Sequence, residues 1–300
     1  MKYVIFIFGL ISIFIVTLCN FYPNEVLDYI QKFTNKNNYV IAISNEYYLD
    51  SGFDYVKNYT DDVSNKQELL NYIYYVINTG SEYADGECVR NYKDCVKDLE
   101  DIANDEKRLS VLNNFVHPYN SFKTISFTYD DSGKFSMAIE HIYKKEEIED
   151  LNKKIDAILK ENITSNMNTV DKIKVIHDYV INNTEYDQNK VDNIHDDTYK
   201  SNTAYGVIEE GYGICSGYSD TISIMLNKLS IKNYKISNDT HIWNLIYVNG
   251  KWVHLDATWD DPISNTNINR DTYFLIDYDT LKNLDDNTHN FDKNMFQEAI

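Results

Sequence analysis

The dipeptide Asn249-Gly250 constrains the fold of this chain more than any other feature, because it separates two segments with alternating apolar residues. Asn-Gly suits a type I′ turn, which needs positive φ at both central residues and joins two antiparallel strands directly. Residues 241–248 and 251–258 are therefore predicted to form a hairpin. A two-residue loop also sets the register of every pair in that hairpin.

Pairs counted outward from the loop place Trp243 opposite Asp256 and His241 opposite Thr258. His241 and Asp256 then share one face of the hairpin as diagonal neighbours. Planar side chains in that relation are close enough to interact, so Asp256 is expected to accept a hydrogen bond from the His241 ring. His254 lies on the same face and is an alternative partner, but it is only two residues from Asp256 and would leave His241 without a role.

A glycine-rich segment ahead of the hairpin carries Cys215, in the sequence Gly-Tyr-Gly-Ile-Cys-Ser-Gly-Tyr at 211–218. Apolar residues follow it at helical spacing: Ile222, Met225, Leu226 and Leu229. Cys215 is therefore predicted at the start of a buried helix, where the dipole and free N–H groups favour the nucleophilic thiolate. The flanking glycines allow a tight turn that leaves the sulfur accessible.

Cys215, His241 and Asp256 together form the set that nucleophilic catalysis needs: a nucleophile, a base and a group that orients the base. Taken singly, a cysteine near a helix start and a histidine on a strand are more often packing residues. Their joint placement favours catalysis. His177, on an upstream helix, is by contrast expected to be a packed or surface histidine.

Three motifs carry a family resemblance: residues 211–218, His-Ile-Trp-Asn at 241–244, and a Trp-x-x-x-Asp-x-Thr-Trp-Asp-Asp-Pro run at 252–262. They resemble the bacterial transglutaminase-like superfamily over roughly residues 165–265. The chain is also similar to an extended form of that family, in which Ile-His-Asp-Tyr (Ile176–Tyr179) and Asn-x-x-Tyr-Asp (Asn183–Asp187) precede the cysteine.

The resemblance implies an α+β fold with a papain-like core, in which a central helix bearing the cysteine packs against an antiparallel sheet. It implies Cys215 as nucleophile, His241 as base and Asp256 as orienting acid. The Cys215 backbone N–H would contribute to an oxyanion hole, with Tyr205 as a second donor or wall. The residues expected to pack around the triad are Trp243, Asn244, His254 and Trp259.

The N-terminal apolar run, Tyr3–Cys19 after Lys2, is typical of a signal peptide or an N-terminal membrane anchor. Large residues at 17–21 disfavour cleavage and so favour an anchor. We therefore expect an extracellular or cell-surface protein. The predicted organisation is a leader at 1–22, a smaller N-terminal α+β region of unassigned role at 23–150, and a transglutaminase-like domain at 151–300.

Four cysteines occur in the chain. Once Cys19 is assigned to the leader, Cys88 and Cys95 are near neighbours and Cys215 stands alone. In an exported protein the two neighbours are able to close a disulfide loop, and two reduced thiols are an equally weighted alternative. A lone thiol in an oxidising compartment favours a functional role for Cys215.

The formal charge of −19 disfavours nucleic acid as a partner, because the field repels phosphate backbones. Phosphate-binding loops and zinc motifs of common spacing are absent from the sequence, so no cofactor and no metal ligand set is expected. Asp260 and Asp261 offer oxygen ligands of the kind that calcium prefers, although a turn before Pro262 is the favoured interpretation.

Two functions fit these observations. The first is a thiol enzyme that forms a thioester between Cys215 and a carboxamide or amide carbonyl of a protein or peptide, then transfers the acyl group to an amine or to water. The second is a non-catalytic surface binding module that retains the fold. Residue spacing does not distinguish cross-linking from proteolysis or deamidation, because pocket shape and water access choose the acceptor. The oligomeric state is also left open.

Overall fold

The computed structural model describes residues 43–50, 52–59, 62–261, 270–284 and 287–300. The predicted leader lies outside these ranges. Within them, no helix combines the length and the apolar character that a membrane crossing requires.

The N-terminal half combines helices with a three-stranded antiparallel sheet. Its elements are α1 (Lys66–Asn78), β1 (Tyr83–Glu87), α2 (Cys95–Ala103), α3 (Glu106–Leu112), β2 (Phe122–Tyr129) and β3 (Lys134–His141). The strands lie in the order β1-β3-β2, and a register shift interrupts the pairing of β2 with β3 near Phe122.

The C-terminal half places helices around a second three-stranded antiparallel sheet and a two-stranded parallel pair. Its elements are α4 (Lys145–Asn162), α5 (Thr169–Asn183), β4 (Glu185–Tyr186), α6 (Gln188–Asp192), β5 (Tyr212–Gly213), α7 (Cys215–Lys228), β6 (Asn233–Ser237), β7 (Ile242–Val248), β8 (Lys251–Leu255) and α8 (Tyr278–Leu284). The antiparallel sheet has the order β6-β7-β8, and the parallel pair joins β4 to β5. Short helical turns lie at Pro118–Asn120, Gly206–Glu210 and Gln297–Ala299.

Helix α7 packs against the sheet β6-β7-β8, and its residues from Gly217 to Leu226 are all buried. The apolar stripe predicted for this helix supplies Ile222, Met225 and Leu226 to the core. The predicted architecture, a cysteine-bearing helix on an antiparallel sheet within a mixed α+β fold, is therefore confirmed.

The two faces of the sheet β6-β7-β8 enter different apolar clusters, because successive strand residues point to opposite sides. Ile246 and Val248 of β7 belong to the cluster that contains the buried residues of α7. Trp243 and Leu245 belong to a cluster built mainly from the N-terminal half. That second cluster thus joins residues from both sides of position 150, and the predicted domain division there stays a prediction.

A buried polar network ties α7 to β6. Lys235 Nζ lies 2.6 Å from Asp220 Oδ1, and both side chains are almost fully buried. The Tyr143 hydroxyl donates to the other Asp220 oxygen at 2.7 Å and accepts from the Ala204 backbone N–H at 2.8 Å. Removing one member of such a network would leave an uncompensated buried charge, so the network fixes how α7 sits on the sheet.

Cys88 and Cys95 form a disulfide, with their Cα atoms 6.3 Å apart. The pairing decides between the two alternatives left by the sequence. The disulfide links the residue after β1 to the first residue of α2. Gly133 of the β2-β3 hairpin packs against both cysteines.

Glycines around Cys215 serve two different purposes. Gly211 has a φ of +78°, a left-handed conformation that glycine adopts without steric cost. Gly217 is required instead for close packing, because a Cβ atom there would lie 2.3 Å from the Ser201 carbonyl oxygen and 3.0 Å from that of Thr203. The loop at 201–203 thus lies directly against the first turn of α7.

Replacing Gly217 with Ala is expected to destabilise the protein by about 1–3 kcal/mol, because the added methyl group forces the 201–203 backbone away from α7. Urea unfolding of the variant measures this loss. Gly52→Ala is the control, since a Cβ atom at Gly52 meets nothing within 4 Å. Equal midpoints for the two variants would contradict this account of the helix start.

Candidate active site

Cys215 is the first residue of α7, and its thiol is free and partly exposed. The residue before it, Ile214, has an extended backbone and offers no side-chain acceptor to the helix N-terminus. Its N–H instead donates to the Ser201 carbonyl at 2.8 Å, which anchors the turn into the helix. The thiol therefore lies at the positive end of the helix dipole, as predicted.

The hairpin that carries the other two residues has the predicted register. Asn249 and Gly250 have φ values of +53° and +81°, as a type I′ turn requires. Val248 pairs with Lys251, and the pairing continues in step to Asn244 opposite Leu255.

His241 immediately precedes β7, and Asp256 immediately follows β8, so the two side chains meet at the end of the hairpin. His241 Nε2 donates to Asp256 Oδ2. The other oxygen of this carboxylate, Oδ1, accepts the backbone N–H groups of Thr258 at 2.9 Å and Trp259 at 3.1 Å. Asp256 is thus held by the turn that follows it and in turn orients the His241 ring.

The Cys215 thiol is the second side-chain partner of the His241 imidazole. Because Asp256 engages Nε2, the nitrogen left for the sulfur is Nδ1. The structure therefore brings together the three side chains that the sequence singled out, drawn from a helix start and from the two ends of a hairpin.

The charges of this site shift the pKa values of both partners. Burial lowers the pKa of His241, but the Asp256 carboxylate and the Cys215 thiol outweigh it and raise the pKa to about 10. Burial alone would raise the pKa of Asp256, yet hydrogen bonds from His241 and His289 hold it well below its usual range. At neutral pH the pair is thus a buried imidazolium and carboxylate.

Trp243, expected to pack around the triad, lies against His241: the two rings stack with centroids 5.6 Å apart and an interplanar angle of 16°. Trp243 is buried, and its Nε1–H donates to His254 Nδ1 at 3.0 Å. The other His254 nitrogen lies 3.0 Å from the Ala299 carbonyl. Burial lowers the pKa of His254 to about 4, so this histidine is neutral and supports Trp243.

Three other predicted residues have distinct positions. Trp259 is 38% exposed and meets the His241 ring edge-on, with centroids 6.4 Å apart. Asn244 is buried and donates to the Ser219 carbonyl at 3.0 Å, which ties β7 to α7. The Tyr205 ring lies beneath Lys200 Nζ at 4.5 Å, and within the described residues no hydrogen bond joins it to Cys215. Its role in an oxyanion hole stays a prediction.

His177 is fully buried, as expected for a packing residue. Its Nε2 lies 3.1 Å from Asp260 Oδ2, and its Nδ1 lies 3.0 Å from Asp178 Oδ1. The second oxygen of Asp260 accepts the backbone N–H of Tyr273 at 2.9 Å. Together these bonds hold the turn that follows Asp256.

The alternative of calcium binding at Asp260 and Asp261 stays untested. Asp261 accepts from the Tyr218 hydroxyl at 2.8 Å and pairs with Arg270, so the protein's own donors engage both carboxylates. Calcium prefers six to eight oxygen ligands. In the described part of the chain, histidine nitrogens and carboxylate oxygens also lie close together in two clusters. One contains His241, Asp256 and His289, and the other contains His177, Asp178 and Asp271.

Two residues at the site were missed by sequence reasoning. His289 is buried and donates through Nε2 to Asp256 Oδ2 at 2.8 Å. Its position, 33 residues after Asp256 and beyond every motif, gave no signal. Burial raises the pKa of Tyr186, and the nearby charges of Cys215 and Asp256 raise it further. The Asn183–Asp187 motif pointed to that residue without assigning it a role.

Comparison with known proteins finds a family match for part of the chain. Residues 157–257, about a third of the chain, match the family model of the Transglutaminase-like superfamily. That segment contains Cys215, His241 and Asp256, so the predicted resemblance is confirmed over it. No curated protein matches the chain.

Solved structures with partial similarity include a TGase, a putative cysteine protease from Cytophaga hutchinsonii, and menin with its binding site for the Mixed Lineage Leukemia protein. Their identities are 20%, 18% and 16%, and their TM-scores are 0.33, 0.29 and 0.31. The alignments cover 49%, 45% and 60% of this chain. They cover 46%, 61% and 38% of the other chains, less than two thirds of each.

The fold and the family match together define a transglutaminase-like core within a chain of mixed helices and antiparallel sheets. The similarity to that superfamily is shown for residues 157–257.

Replacing Asp256 with Asn is expected to lower the pKa of His241 from about 10 toward its ordinary value, because the charge that stabilises the imidazolium is removed. An NMR titration of histidine-labelled protein measures this change. Asp239→Asn is the matched control, since Asp239 is two residues from His241 but its side chain is 75% exposed. A wild-type His241 that titrates at its ordinary value would contradict this account of the site.

Proposed function

We propose that this protein is an exported thiol enzyme that forms a thioester between Cys215 and a carbonyl group of a protein or peptide. One observation carries the proposal: the two nitrogens of a single imidazole, His241, are divided between a buried carboxylate and a thiol at a helix start. That division is what a nucleophile, base and orienting acid require.

In the first step, the Cys215 sulfur attacks the carbonyl carbon of a carboxamide or peptide bond, and a C–S bond forms. The carbonyl oxygen takes up the negative charge, and the Cys215 backbone N–H stabilises it. The C–N bond then breaks. His241 gives its proton to the departing nitrogen, which leaves as ammonia or an amine, and the acyl group remains on the sulfur.

In the second step, an amine or a water molecule attacks the thioester and gives a proton to His241 Nδ1. The C–S bond breaks, and the sulfur leaves as a thiolate beside the renewed imidazolium. Transfer to an amine yields a cross-link, whereas transfer to water yields deamidation or proteolysis. The same three side chains serve both outcomes, because only the acceptor differs.

Export is part of the proposal. The apolar run at Tyr3–Cys19 and the Cys88–Cys95 disulfide both support it, since disulfides persist in oxidising compartments. We place the protein at the cell surface or outside the cell, held by its N-terminal segment or released.

Replacing His241 with Ala is expected to reduce the rate of Cys215 labelling by a chloroacetamide probe at neutral pH by about 10²-fold, because the thiolate loses its cationic partner. Peptide mass spectrometry locates and quantifies the label. His195→Ala is the matched control, since His195 is exposed. Equal labelling of the two variants, or an unreactive Cys215 in the native chain, would favour the non-catalytic binding module.

The acyl acceptor is determined by incubating residues 24–300 with a protein mixture, with and without a primary amine. Incorporation of the amine at glutamine identifies a transferase, and new chain termini identify a peptidase. Cys215→Ser is the control for both products.

A further inference from the structure

Asp256 Oδ2 has two imidazole donors. His241 Nε2 donates to it from the start of β7, and His289 Nε2 donates to it at 2.8 Å from the C-terminal segment at 287–300. An ionised carboxylate only accepts hydrogen bonds, so both Nε2 atoms carry protons. The two histidines therefore share the negative charge of a single oxygen atom.

The backbone around His289 is clamped to the backbone of His241 by Asn238. The Asn238 side-chain oxygen accepts the N–H groups of Thr240 and His241, both at 2.9 Å. Its side-chain nitrogen donates to the carbonyls of Thr288 at 2.6 Å and Asn290 at 2.9 Å. A single side chain thus fixes the spacing between the two segments that carry the histidines.

Aromatic rings fix the orientation of the His289 side chain. Tyr273 stacks on it with centroids 5.0 Å apart, and Trp243 meets it edge-on at 4.9 Å. The Trp259 ring lies 5.4 Å away. With only 3% of its surface exposed, His289 is directed at Asp256 rather than at solvent.

We propose that His289 is a positioning residue, which shares Asp256 Oδ2 with His241 and so moderates how strongly this carboxylate stabilises the His241 imidazolium. The inference rests on the proposed function, for which this imidazolium must release its Nδ1 proton to a departing amine. A second N–H group on the same oxygen draws negative charge toward itself. The partial positive charge of the His289 N–H group also lies near the His241 imidazolium and opposes the protonation of His241.

The titratable groups that face His241 in the described residues are few. Asp256 and Cys215 contact its two nitrogens, and His289 meets its ring edge-on with centroids 5.3 Å apart. Tyr186 faces Cys215 and Asp256 from β4. Of these groups, His289 alone donates to the same oxygen as His241, so its removal changes the charge that His241 meets.

Three variants of His289 separate the hydrogen bond from packing. In His289→Gln the side-chain amide nitrogen stands as far from the backbone as Nε2 of histidine and retains a donor to Asp256. In His289→Asn the same amide falls short of Asp256, and in His289→Leu the donor is absent. Asn and Gln are thus a matched pair that differs in reach.

NMR of histidine-labelled protein reads out the effect on His241. In His289→Leu and His289→Asn, the His241 Nε2–H proton is expected to move to lower field, and the pH at which His241 titrates is expected to rise by about 0.5–1 pH unit. His289→Gln is expected to match the native chain. A purely structural role would weaken the contact between His241 and Asp256 and shift both signals the opposite way.

The proposal is overturned if the signals of His241 are unchanged in all variants, move the opposite way, or fail to be restored by Gln. If the variants do not fold, spectra of the native chain decide: a proton on His289 Nε2 supports the proposal, and a bare Nε2 overturns it. Labelling of Cys215 in the native chain is measured alongside. Its failure would overturn the proposed function, whereas His241-dependent labelling with unchanged His289 variants would overturn this inference alone.

Discussion

The structure of the site depends on a buried carboxylate, Asp256, to which four groups in the described part of the chain donate. Thr258 and Trp259 provide backbone N–H groups to one oxygen, and His241 and His289 provide imidazole N–H groups to the other. An ionised carboxylate costs several kcal/mol to bury without partners. The hairpin, the turn after it and the C-terminal segment must therefore all be in place before the site is stable.

Cys215 and His241 lie on separate elements, so their alignment depends on how α7 sits on the sheet. Apolar packing on both faces of β6-β7-β8 supplies the bulk of that contact. Polar bonds specify its direction: Lys235 pairs with Asp220 of α7, and Asn244 of β7 donates to Ser219. The helix start, with Cys215, is thereby held at the end of the hairpin that carries His241.

Two parts of the site could be predicted from short segments of sequence, because turn type and apolar spacing determine them locally. The turn at Asn249-Gly250 gave the hairpin register, and the apolar stripe after Cys215 gave the helix. His289 could not be predicted, because its contact with Asp256 depends on the path of a distant segment and on a clamp by Asn238. For the same reason the sequence did not reveal that the N-terminal half shares a core with the second sheet, which only tertiary packing creates.

The central claim is that Cys215 forms a thioester with help from His241, and trapping that thioester tests it most directly. The native chain is incubated with a small activated ester, and its intact mass and labelled peptides are measured. The account predicts one acyl group on Cys215, released by hydroxylamine, absent from Cys215→Ser and slow to form in His241→Ala. Acylation confined to lysine or hydroxyl side chains, or no acylation of Cys215, would contradict it.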